Sequence, residues 1–88
     1  YNIYGPVAPD AVWAAVTEQN YDLIVGLYHD QIMIPLKTIN AKKIINVTAG
    51  LPFVRTSPGH GTAFDIAGKN KADISSMKEA VIFAAKRL

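Results

Sequence analysis

An imidazole, a carboxylate and an amine lie at the ends of the most apolar stretch of this 88-residue chain. His29 and Asp30 follow an apolar run at 22–28, and Lys37 closes a second run, "IMIPLK". Imidazole is a common metal ligand, and a neighbouring carboxylate can bind the same ion or orient the ring. Two histidines without cysteine cannot close a structural zinc site, so a metal at His29 needs further ligands. The alternative is a histidine that only caps a strand.

Three further polar residues flank apolar segments and carry groups that bind anions. They are Lys37, Asn46 and Arg55. An amine, an amide and a guanidinium that converge on one point would bind a phosphate or a carboxylate. The alternative is that Lys37 and Arg55 are ordinary solvated surface charges.

The segment "SPGHGTAFDIAGK", residues 57–69, is the densest cluster of small and polar residues. Its two glycines bracket His60, so the backbone can approach a ligand closely, and Asp65 could bind the vicinal diol of a ribose. The spacing is not GxGxxG, so a classical dinucleotide fold is not indicated. The alternative is a glycine-rich turn before a helix, with Asp65 as its cap.

Alternating helix and strand patterns predict an α/β fold that positions these residues. The apolar, β-branched run at 22–28 predicts a strand covered on both faces, with His29 and Asp30 at its end. Further strands are predicted at 43–50 and 52–57. Helices are predicted from Pro9 through Gln19, ending at Asn20, and over 31–39 with Pro35 in the first turn.

The last segment predicts the clearest helix. Ser76 and Glu79 have the spacing of a capping box, and Asp73 is a second possible cap. Trp13, the single tryptophan, is predicted to lie in the core. The predicted inward face of this last helix consists of Ile74, Met77, Val81, Ala84, Ala85 and Leu88.

Composition excludes some classes of function. Half of the residues are hydrophobic and 18% are charged, more apolar than a small free-standing domain needs, which predicts surface for a partner. A net charge of +2 without a basic run argues against nucleic acid. No stretch approaches the ~20 apolar residues of a membrane span. The lack of cysteine fits a cytoplasmic protein.

Three motifs, in this order and spacing, together resemble the C-terminal part of the 4-hydroxythreonine-4-phosphate dehydrogenase family. They are "YHDQ", "IPLK" and "NVTAGLPFVRTSPGHGTAFDIAGK". "HGTAFDIAGK" is also similar to the cofactor loop of the isopropylmalate and isocitrate dehydrogenase group. The resemblance implies a two-domain α/β fold in which helices pack on a mixed sheet. Residues 1–88 would be a C-terminal fragment, incomplete as a catalytic unit, of a cytoplasmic homodimer.

The resemblance also implies an activity and the residues that serve it. The family oxidises and decarboxylates 4-(phosphooxy)threonine with NAD and a divalent metal (zinc, magnesium or cobalt), yielding 3-amino-2-oxopropyl phosphate for pyridoxal phosphate biosynthesis. His29 matches a metal ligand, and Lys37, Asn46 and Arg55 match contacts to the phosphorylated hydroxy-acid substrate. The residues that match the NAD site are His60, Gly61, Thr62, Ala63 and Asp65. The resemblance identifies no proton donor or acceptor.

The sequence departs from the family pattern at several positions. Ile32 stands where relatives usually have glycine after "YHDQ", and Asn70 stands where a glycine is common after "AGK". These departures leave the substrate open, and one alternative is a sister dehydrogenase acting on a 4-phosphorylated sugar acid such as threonate or erythronate phosphate. Two further alternatives are a non-catalytic module that binds nucleotides or phosphates and a structural or interaction fragment with incidental motifs.

Overall fold

A computed structural model describes residues 1–19 and 21–88 of the chain, which divide into two compact units, Tyr1–Pro35 and Leu36–Leu88. The first helix, α1, spans Pro9–Ala14, and α2 spans His29–Asn40. Two strands follow, β1 at Ile45–Thr48 and β2 at Arg55–Pro58, and then helix α3 at Ser75–Ala85. Single 3-10 turns lie at Ala41–Lys43 and Phe64–Ile66.

Helix α1 begins at Pro9, as predicted, because proline is preformed for the first helical turn and its missing N–H costs nothing there. The helix is shorter than predicted, since turns replace it from Ala15 onward. Asn20, the predicted end of the helix, lies outside the described residues. Trp13 is half-buried rather than a fully buried core residue.

The strand predicted over residues 22–28 is wrong. This segment has no regular structure, and its large apolar side chains, Leu23, Val25, Leu27 and Tyr28, are exposed. A strand requires backbone partners on a neighbouring strand. Within the part of the chain that the structure describes, only β1 and β2 pair.

Helix α2 differs from the prediction at its start. It begins at His29 instead of residue 31, so His29 and Asp30 occupy a first helical turn and do not terminate a strand. Gln31 explains the early start: its side-chain Oε1 accepts hydrogen bonds from the backbone N–H groups of Leu27 (3.0 Å) and Tyr28 (3.2 Å). These are donors that a helix N-terminus otherwise leaves unpaired, and a glutamine in the first turn satisfies them in capping boxes.

Pro35 lies inside α2, not in its first turn as predicted. A proline inside a helix removes the N–H that would bond the carbonyl four residues earlier, here that of Gln31. The indole Nε1–H of Trp13 donates to that carbonyl at 2.8 Å. The tryptophan therefore replaces the missing helical donor and ties α1 to α2.

Strands β1 and β2 form an antiparallel pair, with Asn46 opposite Ser57 and Thr48 opposite Arg55. Both predicted strands are confirmed: β1 lies within the predicted range 43–50, whereas β2 begins three residues later than predicted and ends one residue later, at Pro58. The predicted mixed sheet is not confirmed, because the described residues form one two-stranded antiparallel sheet. Cross-strand partners point to the same face, so the strands present one face with Thr56 and another with Arg55.

Helix α3 packs on the Thr56 face of this hairpin through a face that the sequence analysis did not choose. Ser76 and Ala80 are 4% and 1% exposed, whereas the predicted inward residues Met77 and Val81 are exposed. The hydroxyl of Thr56 donates to the Ala80 carbonyl at 3.0 Å. Small side chains on this face let the helix backbone come this close. The other predicted inward residues Ile74, Ala85 and Leu88 are also exposed, and Ala84 is half-buried.

The start of α3 corrects a second prediction. Ser76 lies inside the helix, so it is not the N-cap of a capping box. Asp73, the alternative, caps this end of the helix: its carboxylate accepts a hydrogen bond from the backbone N–H of Ser75 at 2.9 Å.

No helix in residues 1–19 and 21–88 is long and apolar enough to cross a membrane.

Candidate functional site

Asn46 and Arg55 lie on one face of the β1–β2 hairpin. Asn46 and Thr48 are two residues apart on β1 and therefore share a face, and Arg55 is the cross-strand partner of Thr48. Helix α3 covers the opposite face, so this one is open, and both Asn46 and Arg55 are exposed. The structure thus brings together two of the three predicted substrate residues.

The guanidinium of Arg55 is held in place from β1. Its Nη1 donates to the Thr48 hydroxyl oxygen at 2.9 Å. One bond of this kind uses one of the five guanidinium donors and leaves the others for a ligand. Arg55 can therefore bind an anion in a fork while its orientation is fixed by Thr48.

An open cleft of about 300 Å³ borders Arg55. Its walls include Leu51 and Phe53 from the loop after β1, and Phe83 and Arg87 from the end of the chain. The Arg87 guanidinium stacks on the Phe83 ring, 3.5 Å from the centroid. The cleft therefore combines an apolar wall with two guanidinium groups. Sequence analysis did not single out Arg87, because no pattern indicates that the two arginines share a cleft.

Lys37, the third predicted substrate residue, lies in the C-terminal half of α2 and is exposed. A lysine in the last turns of a helix is favoured by the partial negative charge of that end. Its amine is open to solvent, as binding of an anion requires.

His29 belongs to the first unit, where its ring pairs with the next residue. Nδ1 lies 2.8 Å from Oδ1 of Asp30, and the two side chains are 77% and 76% exposed. An ionised carboxylate can only accept, so Nδ1 is the donor to such a group, and in a neutral ring of this tautomer Nε2 has the lone pair. This is the arrangement in which a carboxylate orients a metal-binding histidine. Among residues 1–19 and 21–88, no three His, Cys, Asp or Glu side chains cluster to form a metal site.

The predicted cofactor segment leaves β2 at Pro58 and forms an exposed loop. The ring of His60 is bonded through Nδ1 to the Gly61 carbonyl at 2.9 Å, and an added Cβ at Gly61 would meet no atom within 4 Å. A ligand can therefore approach the backbone at Gly61. Thr62 and Ala63 follow it, also exposed, and Ala63 adopts a left-handed conformation with φ of 49°.

Asp65 follows Ala63 at the start of a 3-10 turn and is exposed. Lys69 bonds its backbone carbonyl at 2.6 Å, and in the described residues nothing bonds its carboxylate. A solvent-exposed carboxylate can accept hydrogen bonds from the hydroxyls of a diol.

Comparison with known proteins identifies the family. A family model described as "Pyridoxal phosphate biosynthetic protein PdxA" matches residues 1–84. The chain belongs to the PdxA family. Its relatives include 4-hydroxythreonine-4-phosphate dehydrogenase of Roseobacter denitrificans, 51% identical over 84 residues, which are 96% of this chain and 26% of the relative. The enzyme of that name from Nostoc is 45% identical over 95 residues, 98% of this chain and 26% of the relative.

A relative that is named for a different activity is almost as similar. D-threonate 4-phosphate dehydrogenase of Salmonella typhimurium is 49% identical over 83 residues, 94% of this chain and 25% of the relative. The chain spans about a quarter of the length of the relatives it matches. No solved structure matches it at a significant level.

Two residues that organise this PdxA-family chain were missed as site-supporting residues by sequence analysis. Ser76 was assigned to a helix cap, but its buried hydroxyl bonds Gly59 at the start of the cofactor segment. Trp13 was assigned to the core, but its indole N–H supports the helix that begins with His29. Pro35 inside a helical pattern was the available indication for Trp13, because such a proline leaves a carbonyl in need of a donor.

Proposed function

We propose that this chain is the C-terminal part of an NAD-dependent, metal-requiring dehydrogenase. The complete enzyme would oxidise and decarboxylate 4-(phosphooxy)threonine to 3-amino-2-oxopropyl phosphate in pyridoxal phosphate biosynthesis. The observation that carries the proposal is the open hairpin face with Asn46 beside Arg55, in a chain of the PdxA family. An amide and a tethered guanidinium are suited to a phosphorylated, carboxylated substrate.

The residues in the second unit would bind and orient the substrate. Arg55 would contact an anionic group through its free guanidinium donors, and the Asn46 amide would donate beside it. Lys37 would add a point charge. Correct orientation of a bound substrate accounts for much of an enzyme's rate enhancement, so these contacts would contribute to turnover as well as to affinity.

Each of the two units carries candidate donors for one of the two cofactors. Nε2 of His29 would bind a divalent cation, with Asp30 orienting the ring and further ligands coming from outside the described residues. The exposed backbone at Gly61 and the open carboxylate of Asp65 would bind NAD, the carboxylate at a ribose diol. When bound, the cation supplies a Lewis acid and NAD supplies the oxidant.

The complete enzyme would be a cytoplasmic homodimer of two-domain subunits with the isopropylmalate and isocitrate dehydrogenase fold. Exposed apolar side chains support this part of the proposal: Leu23, Val25 and Leu27 lie in one segment and are open to solvent. Exposed apolar patches of this kind are typical of surfaces that other domains or subunits cover.

A second candidate is a dehydrogenase acting on a 4-phosphorylated sugar acid. It is favoured by the similarity to the Salmonella D-threonate 4-phosphate dehydrogenase, which nearly equals the similarity to the Roseobacter enzyme. The two substrates share the phosphate and the carboxylate, and cationic residues such as Lys37 and Arg55 bind such groups without distinguishing the remainder.

The deciding experiment uses the complete protein with NAD, a divalent metal and each phosphorylated acid in turn. NADH formation with 4-(phosphooxy)threonine at the higher kcat/KM supports the first candidate, and a preference for D-threonate 4-phosphate supports the second. Saturable binding of NAD or phosphate without turnover of either acid would contradict both and leave a binding module.

A further inference from the structure

The hydroxyl of Ser76 is a buried polar group that joins three elements of the second unit. Ser76 is 4% exposed and lies in the first turn of α3. Its Oγ accepts the backbone N–H of Gly59 at 2.8 Å and donates to the carbonyl of Ile44, directly before β1. A serine hydroxyl carries one proton, so this pair of bonds uses its donor and one acceptor lone pair.

Gly59 is also held from the β1 side. Its N–H lies 3.1 Å from the Ile44 carbonyl oxygen, in addition to the Ser76 bond. A Cβ built on Gly59 would lie 2.7 Å from Cγ2 and 2.8 Å from the backbone oxygen of Ile44. No side chain fits in this space, and the loop backbone therefore lies directly against the residue that precedes β1.

The two glycines around His60 thus have opposite surroundings. Gly59 is packed against Ile44 and bonded to Ser76, whereas a Cβ at Gly61 would enter open space. The loop has a fixed start and an accessible continuation. Fixing one end of a binding loop in advance reduces the conformational entropy that a ligand must overcome.

We infer that Ser76 is a positioning residue for the dinucleotide: it fixes Gly59 so that the backbone from His60 to Asp65 is held ready for NAD. This inference rests on the proposed role of that segment in NAD binding. Ser76 itself is covered by α3 and the hairpin and does not contact the ligand.

The test compares Ser76→Ala with Ser75→Ala in the complete enzyme. Both changes remove a hydroxyl from the first turn of α3, but it is Ser76 that bonds Gly59 at the start of the loop, whereas Ser75 contacts Asp73. We expect Ser76→Ala to raise the Kd and the KM for NAD about tenfold, the size expected for one lost buried hydrogen bond. In Ser76→Ala, the KM for the phosphorylated acid should change less than about twofold. In Ser75→Ala, the Kd for NAD and both KM values should change less than about twofold.

An unchanged Kd for NAD in Ser76→Ala would overturn the inference. Equal losses of affinity for NAD and for the phosphorylated acid would overturn it too, because they would indicate general damage to the unit. The same experiment separates this inference from the proposed function, since failure of the unsubstituted enzyme to bind NAD refutes the latter.

Amide hydrogen exchange of the unsubstituted enzyme tests the anchoring without any variant. The Gly59 amide should exchange as slowly as those inside α3, and the Gly61 amide should exchange rapidly until NAD is added. Exchange of Gly59 as fast as that of Gly61 would refute a fixed start of the loop, whether or not Ser76→Ala folds.

Discussion

The indole N–H of Trp13 donates a 2.8 Å hydrogen bond to the backbone carbonyl of Gln31. Pro35, four residues after Gln31, has no N–H to offer that carbonyl. A side chain from α1 therefore completes the hydrogen bonding of α2, and in the same helix turn the Gln31 side chain caps Leu27 and Tyr28. Both contacts satisfy backbone groups in, or directly before, the helix that begins with His29.

Replacing Trp13 should destabilise the protein more when Pro35 is present than when alanine replaces Pro35. Trp13→Phe removes the indole donor, and we expect it to lower the free energy of unfolding by about 1 kcal/mol, since the Gln31 carbonyl loses its partner. In the Pro35→Ala background, residue 35 gains an N–H for that carbonyl, so the loss on Trp13→Phe should be smaller. Urea unfolding of the complete protein measures all four members of this cycle.

The unfolding of these variants should be followed by a signal that does not depend on Trp13. Trp13 fluorescence is lost in the variant, so circular dichroism should follow the transition. Identical losses in the Pro35 and Pro35→Ala backgrounds would contradict the proposed replacement of a helical donor and leave only the difference in packing between indole and phenyl.

Asp30 should control metal affinity through the ring of His29. Asp30→Asn removes the negative charge beside Nδ1, and we expect the affinity of the complete enzyme for its divalent metal to fall about 10- to 100-fold, the range found for such supporting carboxylates. Titration calorimetry with the metal alone measures this loss.

Asp10→Asn is the matched control, because Asp10 is also an acidic residue in the first turn of a helix, α1, with no histidine beside it. Its metal affinity should equal that of the unsubstituted enzyme. The same affinity in both variants would show that the His29–Asp30 contact has no role in metal binding.

Arg55 should require its guanidinium and not merely its charge. Arg55→Lys keeps the positive charge but loses the fork that binds two oxygens and the bond to Thr48. We expect KM for the phosphorylated acid to rise about tenfold or more, the cost of one charge-assisted hydrogen bond, with KM for NAD unchanged. Initial rates at varied concentrations of each substrate measure both constants.

Thr48→Val tests the tether separately, because it leaves the guanidinium but removes the oxygen that orients it. Its effect on KM for the phosphorylated acid should be smaller than that of Arg55→Lys. A larger effect for the valine variant would contradict the assignment of Arg55 as the direct contact.

The carboxylate of Asp73 should make the stability of the protein depend on pH in the acid range. The hydroxyl of Ser75, the Ser75 backbone N–H and the ammonium of Lys42, 3.3 Å away, lower its pKa from 3.8 to about 2. The folded state therefore favours the charged form. Its contribution is fully present above pH 3.8 and is lost as the pH falls from 3.8 to about 2.

The melting temperatures of the unsubstituted protein and of Asp73→Asn measure this contribution. Asparagine keeps an oxygen for the Ser75 N–H but has no charge. The difference in melting temperature between the two proteins should therefore shrink as the pH falls from 3.8 to about 2. Lys42→Ala should weaken the dependence less than Ser75→Ala does, because the Ser75 hydroxyl is the largest cause. A difference that stays constant with pH would contradict the lowered pKa.

Several features followed from local sequence alone. Pro9 marked the start of α1, and Asp73 was recognised as a possible cap for α3. The two β-rich segments on either side of Gly50-Leu51-Pro52 predicted two strands, although each strand is shorter than its pattern and their antiparallel pairing was not predicted. These predictions succeeded because capping residues and turn-forming residues act on neighbours within a few positions.

Other features depended on contacts that a linear pattern does not contain. The apolar run at 22–28 has the composition of a strand, but a strand forms only beside a partner. Helix α3 has apolar residues on more than one face, so periodicity alone favoured Met77 and Val81. The hairpin instead selected Ser76 and Ala80, whose small side chains allow Thr56 to reach the helix backbone.

The sequence by itself determined the family, the chemical types of the candidate ligands and where in the chain each occurs. Motifs are local, and side-chain chemistry does not change on folding. Only the tertiary structure decided that Asn46 and Arg55 share an open face, that Asp30 orients His29, and that Ser76 fixes Gly59. The shared face depends on strand register, and the Ser76–Gly59 bond depends on helix packing; both are set by contacts between residues that are distant in the chain. The His29–Asp30 contact joins neighbours and depends on the rotamers that the two side chains adopt.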